Sequence, residues 1–135
     1  MAATSTDVAV RSAVEEFLDA INTGHAERLR SCLSSDPGSV HIGTDPEEWW
    51  STDELVKNMA GMGAVGPSPI RAVVDEVTVH DLSDDAAWLV GRGRFVSDGR
   101  ERPVRLSGVA VREGDRWTFV HSHASIAVPN DQLFG

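Results

Sequence analysis

The hydrophobic period of this chain changes once, near Ile70, and that change narrows the folds open to it. Before Ile70, apolar residues recur at steps of three and four, the spacing of one helix face. Val10, Val14, Phe17, Leu18 and Ile21 form such a stripe over residues 7–22, with Arg11, Glu15, Glu16 and Asp19 opposite. After Ile70 the period is two. Runs at 70–80, 86–97, 102–112 and 116–126 read as strands, separated by turns that include Asp98-Gly99 and Gly114-Asp115. Such pairs suit tight hairpins, so the last three runs are expected to form an antiparallel meander. Helices lead and strands follow. The expected class is α+β, with about three helices on one side of a curved antiparallel sheet. Strands this long imply strong curvature.

Local signals refine the first half. Asn22-Thr23-Gly24 stops the first helix, because glycine tolerates the left-handed cap conformation. Residues 25–33 give a shorter helix with Leu29, Cys32 and Leu33 inward. Residues 39–42 read as a short strand, and Gly43-Thr44-Asp45-Pro46 as a turn. Ser51 and Glu54 have capping-box spacing, so a third helix should begin at Thr52. Leu55, Met59 and Met62 would form its buried stripe, and Gly61, Gly63, Gly66 and Pro67 its end.

The chain of 135 residues fits one domain, 1–135, with residues 1–6 a flexible N-terminus and 128–135 a C-terminal tail. A formal net charge of −9 argues against nucleic acid and anionic membranes as partners. Cys32 is the sole cysteine, so no intrachain disulfide forms, and a buried inert thiol is expected. No secretory signal or membrane-length apolar run is apparent, so a cytoplasmic location is expected. No phosphate-binding, CxxC or GxSxG motif is present, and no cofactor is expected.

The element order is similar to the nuclear transport factor 2-like superfamily, which includes ketosteroid isomerase, SnoaL-type cyclases and scytalone dehydratase. The stretch EEFLDAINTGHAERLRSCLSSDPGSVHIGT resembles the opening of SnoaL-like proteins. The stretch GDRWTFVHSHASIAVP resembles the end of the calmodulin-dependent kinase II association domain, with Trp117 ahead of His121-x-His123-x-Ser125. The resemblance spans roughly residues 7–129. It implies a sheet curled into an open cone, a pocket at its mouth, and a homodimer made through the convex face.

Candidate site residues follow. His121 and His123 are two apart on a strand, and with Trp117, Phe119 and Ser125 they are expected on one face. They read as pocket wall or as hydrogen-bonded structural histidines. A metal half-site would need a nearby carboxylate or cysteine, so no metal is expected. Arg92 and Arg94 sit on a face with Trp88, Val90 and Val96. Their partners are either a carboxylate such as Glu76 or an anionic or carbonyl-bearing ligand, and on a convex face they would instead be dimer-interface or solvated residues. Gly91 and Gly93 mark a bend or bulge. Trp88 and Trp117 read as core or interface.

The resemblance places a ketosteroid isomerase-like general base near Ile42, which holds no proton acceptor. Asp45 is the nearby carboxylate, in a sequence that also reads as a plain turn, and His41 is the alternative base. The chain has no tyrosine, so the isomerase's tyrosine hydroxyl has no counterpart here. Trp50 and Met59 are candidate ligand contacts, one of the adjacent tryptophans capping the pocket and the other packing in the core. The reading is a small-molecule pocket protein, possible carbonyl acid/base chemistry included: isomerisation, cyclisation or dehydration. Its catalytic residues would be His41, Asp45 and His121. Trp50, Arg92, Arg94, His123 and Met59 would hold a ligand, an anionic one included. The alternative is a non-catalytic binding or dimerisation domain.

Overall fold

A computed structural model describes residues 5–64 and 70–135, and the side chains outside 60–64. Three helices, α1 (Ser5–Thr23), α2 (Ala26–Cys32) and α3 (Thr52–Ala64), accompany six strands. The strands are β1 (Val40–Ile42), β2 (Trp49–Trp50), β3 (Arg71–Ser83), β4 (Ala86–Ser97), β5 (Arg100–Glu113) and β6 (Arg116–Ser125). They form one curved, unclosed sheet in the order β2-β1-β6-β5-β4-β3. The four long strands are a continuous antiparallel meander. The sheet is mixed, because β1 joins β6 in parallel. That pairing links elements far apart in sequence, and no local pattern announces it.

Helix boundaries follow their caps. Gly24 adopts φ 65°, and the amides of Gly24 and His25 return to the carbonyls of Ile21 and Ala20. This closes α1 by satisfying carbonyls left over at a helix end. The His25 imidazole accepts from the Arg28 amide and so caps α2. Ser51 and Glu54 cap α3 reciprocally: each side chain accepts from the other's backbone amide at 3.2 Å. The predicted start of α3 therefore holds. The helix passes Gly61 and Gly63 and ends at Ala64, within the 61–67 stretch expected to stop it. Glycine costs about 1 kcal/mol in a helix interior, too little to stop one by itself. The roles assigned to the Met62 side chain, Gly66 and Pro67 lie outside the described residues. Helix α1 begins at Ser5, inside the stretch expected to be a flexible terminus.

Asp98 and Gly99 both have positive φ, 51° and 79°, as the β4–β5 hairpin requires. On β3 the register slips at Asp75, opposite the Gly91-Arg92-Gly93 stretch of β4. A side chain at Gly93 would place its Cβ 2.2 Å from the Val73 carbonyl oxygen, so the bend needs glycine there.

The core lies between the helices and the inner sheet face. Val10, Val14, Leu29 and Leu33 pack with Leu89 and Phe119, and Phe17 meets Phe119 edge-on at 5.4 Å. Cys32 is buried, and burial pushes its thiol up, which makes it unreactive as expected. Among the described residues no helix is long and apolar enough to cross a membrane.

Candidate functional site

A cavity of about 180 Å³ remains between α1, α3 and the curved sheet. Helix α1 contributes Phe17, Leu18 and Ile21, α3 contributes Leu55 and Met59, and the sheet contributes Leu89, Phe95, Leu106 and Phe119. The wall is largely apolar. Its few polar side chains cluster where β1 enters: His41, Thr44, Glu48, Ser122 and His123, with Ser107 on β5.

A single extra residue decides which part of β6 faces this cavity. Val109 pairs with His121, and Ala110 pairs with Phe119, so Val120 is a bulge. Because side chains alternate along a strand, one inserted residue exchanges the faces beyond it. Phe119 faces inward, but beyond the bulge Ser122 opposite Gly108 and Ala124 opposite Leu106 take up the inward side. The shared face expected for Phe119, His121 and His123 is therefore broken at Val120. The two imidazoles remain neighbours, with ring centroids 6.4 Å apart. His121 Nδ1 lies 2.8 Å from the Val40 carbonyl, which only accepts, so Nδ1 carries the proton and donates. His121 does not line the cavity. His123, flanked by Ser122 and Ala124, does.

His41 is the polar centre of the site. It is 2% exposed and its Nδ1 lies 2.7 Å from Ser122 Oγ. Strand pairing produces this contact, since His41 sits beside Ser122 in the parallel β1–β6 register. Among the described residues, His41 Nε2 is the one buried side-chain nitrogen or oxygen without a hydrogen-bond partner. Leaving such a group unmade costs about 1–3 kcal/mol. Burial, with a smaller contribution from His121, lowers the His41 pKa to about 4. The ring is therefore neutral at physiological pH, one nitrogen a donor and the other an acceptor.

Glu48 is the carboxylate of the cavity wall. Its side chain folds back over Gly43, where a Cβ would lie 2.0 Å from Oε2. Oε1 accepts from the Asp45 amide at 3.2 Å. Burial, then the nearby Asp45 charge, raises the Glu48 pKa, although the Asp45 amide opposes this. The two titratable groups are thus both pushed toward their neutral forms.

The remaining candidates fall into two groups. Trp50 and Met59 line the cavity. The Trp49–Trp50 pair forms an edge strand, so alternation sends Trp50 inward and leaves Trp49 68% exposed. Asp45, Arg92 and Arg94 are not among the lining residues. Asp45 is exposed in the β1–β2 turn, where its carboxylate accepts from the Glu47 amide, the turn role that its sequence suggested. Arg92 lies 3.6 Å from Glu76, and Arg94 bonds Asp75 at 3.2 Å and Glu101 at 2.8 Å. Both arginines project from the face opposite Leu89 and Phe95, where sheet carboxylates are their partners and the Arg92 side chain is largely exposed. Trp88 shares that outer face, stacked on His80 at 4.0 Å. Among the described residues no group of three histidine, cysteine or carboxylate side chains could hold a metal ion.

Ser122, Glu48, Phe95 and Leu106 were not singled out from the sequence. For Leu106 and Phe95, strand alternation was the usable signal. For Ser122 the bulge hid it. For Glu48 only its place beside the turn pointed inward.

A curved sheet closed by helices over one apolar cavity with a buried polar end defines a class of small pocket domains. The SnoaL-like domain family matches residues 10–129, and the chain belongs to that family. No protein of curated function matches the sequence. Solved structures agree on the fold. A nuclear transport factor 2-like protein of unknown function from Pseudomonas putida KT2440 superposes with TM-score 0.79 at 14% identity, covering 96% of this chain and 92% of its own. A proposed calcium/calmodulin-dependent protein kinase II association domain from Xanthomonas campestris gives 0.73 at 20%, covering 96% and 94%. A proposed dehydratase of the nuclear transport factor 2-like family from Streptomyces avermitilis gives 0.70 at 21%, covering 90% and 95%.

Proposed function

We propose that this protein binds a small molecule with a compact apolar body and one hydrogen-bonding group that docks at His41 and Ser122. The observation that carries this reading is an otherwise apolar cavity wall whose few polar side chains, His41 and Ser122 among them, gather at the β1 end. Ligand sites have this composition: mostly apolar lining with a few placed polar groups. A dry apolar cavity of about 150 Å³ accepts benzene, so the volume here suits a ring-sized ligand. No arginine or lysine is among the lining residues, which favours an uncharged body over an anion.

Acid/base chemistry on a carbonyl compound is the second reading, as an isomerase, cyclase or dehydratase. It is favoured by the presence of Glu48 and His41 in one wall with their protonation equilibria displaced in opposite directions. Neutral His41 would polarise a carbonyl, and Glu48 would carry the proton. A homodimer is part of the proposal too. Its support is the outer sheet face, where Trp88 is 39% and Val90 41% exposed. A cytoplasmic site of action fits a lone, reduced and buried Cys32.

The test is an amide NMR titration with cyclohexanol, whose hydroxyl both donates and accepts and so serves either tautomer of His41. Saturable shifts should cluster at His41, Ser122, Leu106 and Phe119. Shifts confined to Trp88, Arg92 and Arg94 would place binding on the wrong face and overturn the reading.

A further inference from the structure

The mouth of the cavity has a sign. Among the described lining residues Glu48 is the one carboxylate, and no arginine or lysine accompanies it. Asp45 and Glu47 stand on the same turn. None of these three carboxylates forms an ion pair among the described residues, whereas seven other cation–carboxylate pairs do form. The turn is also built to hold Glu48 where it is. Gly43 N–H donates to the Glu48 carbonyl at 2.9 Å, Asp45 N–H donates to Glu48 Oε1, and any side chain at position 43 would occupy the space of the carboxylate. A carboxylate drawn partly out of water without a counter-ion is costly. The fold holds it in the same cavity wall as His41 and Ser122.

We infer that the ligand is an apolar amine, with its hydrocarbon body in the cavity and its ammonium group against Glu48. This inference rests on the pocket reading above and adds the charge of the ligand to it. An ammonium presents several N–H donors, which suit the free Oε2 of Glu48. The protein's net charge of −9 favours the approach of cations over anions. A carboxylate ligand would meet repulsion from Glu48 and gain no basic partner in the wall.

Three probes on one skeleton separate these claims: cyclohexylamine, cyclohexanol and cyclohexanecarboxylate, titrated at neutral pH against the wild type, Glu48→Gln and Gly43→Ala. The amine should bind the wild type about tenfold more tightly than the alcohol, and the carboxylate more weakly than either. Glu48→Gln should bring amine and alcohol within about twofold of each other. Gly43→Ala, by displacing the carboxylate, should lower the amine preference in the same direction. Equal binding of amine and alcohol by the wild type, or an amine preference that survives Glu48→Gln, overturns the inference while the pocket reading stands. Failure of all three probes to perturb His41 and Ser122 overturns both.

Discussion

The ring of His41 gives Nδ1 to Ser122 Oγ at 2.7 Å and leaves Nε2 buried with no partner, so half of one imidazole is structural and half is unspent. The structural half explains how the ring is held. Parallel pairing of β1 with β6 sets His41 beside Ser122, and the Val120 bulge turns Ser122 inward. The unspent half is a buried nitrogen without a partner, a cost that the fold carries at this site.

Acid stability should report on His41. In the unfolded chain this group takes a proton near 6.5, and in the folded chain only near 4. The unfolded state binds more protons in between, so the neutral ring's contribution is whole above 6.5 and declines as pH falls toward 4. The loss should be up to about 1.4 kcal/mol per pH unit in that window. Urea unfolding at several pH values checks this, and His41→Gln should flatten the slope. Glu113 acts in a lower window. The Thr118 hydroxyl, then those of Ser34 and Ser35, lower its pKa, so its contribution is lost only below the ordinary carboxylate range.

Glu48→Gln should stabilise the protein at neutral pH while weakening amine binding. A folded pKa raised by burial means that the charged form opposes folding above that pKa, and an amide removes this cost. The expected gain is a few tenths to about 1 kcal/mol. Thermal unfolding checks it, and the gain should shrink as pH falls and Glu48 itself becomes neutral.

Gly93→Ala should destabilise by about 1–3 kcal/mol, the usual cost of forcing atoms into a filled site. The added Cβ would meet the Val73 carbonyl oxygen at 2.2 Å, and backbone gives way less readily than a side-chain tip. Gly99→Ala tests the other glycine effect. Nothing lies within 4 Å of that Cβ, so any loss of melting temperature there comes from φ 79° alone.

Arg94→Ala should lower the melting temperature slightly and leave probe binding unchanged. Its guanidinium is held by Asp75 and Glu101 on the outer face, and such exposed pairs contribute little. A loss of cyclohexanol binding in this variant would return the arginine to the site.

What the sequence showed and what it hid divide along physical lines. Local rules located the reciprocal cap of Ser51 and Glu54, the Asp98-Gly99 hairpin and the Gly91–Gly93 bend, because each depends on a few neighbouring residues. The α1 stripe was legible for the same reason. The β1–β6 parallel pairing and the Val120 bulge were not, since both depend on contacts between distant segments. That bulge alone moved His121 away from the cavity and brought Ser122 to it. His41, Trp50 and Met59 were placed at the wall by proximity to recognisable elements. Arg92 and Arg94 gave three readings, and the positions of Asp75, Glu76 and Glu101 bear on the choice among them.

The most direct test follows the ring nitrogens of His41 by NMR as cyclohexanol is added near pH 5.5. A neutral ring is expected, with the His41 ring signals shifting saturably alongside those of Ser122. A ring already protonated at that pH, with both nitrogens indifferent to the alcohol, would contradict the assignment of His41 as the docking group.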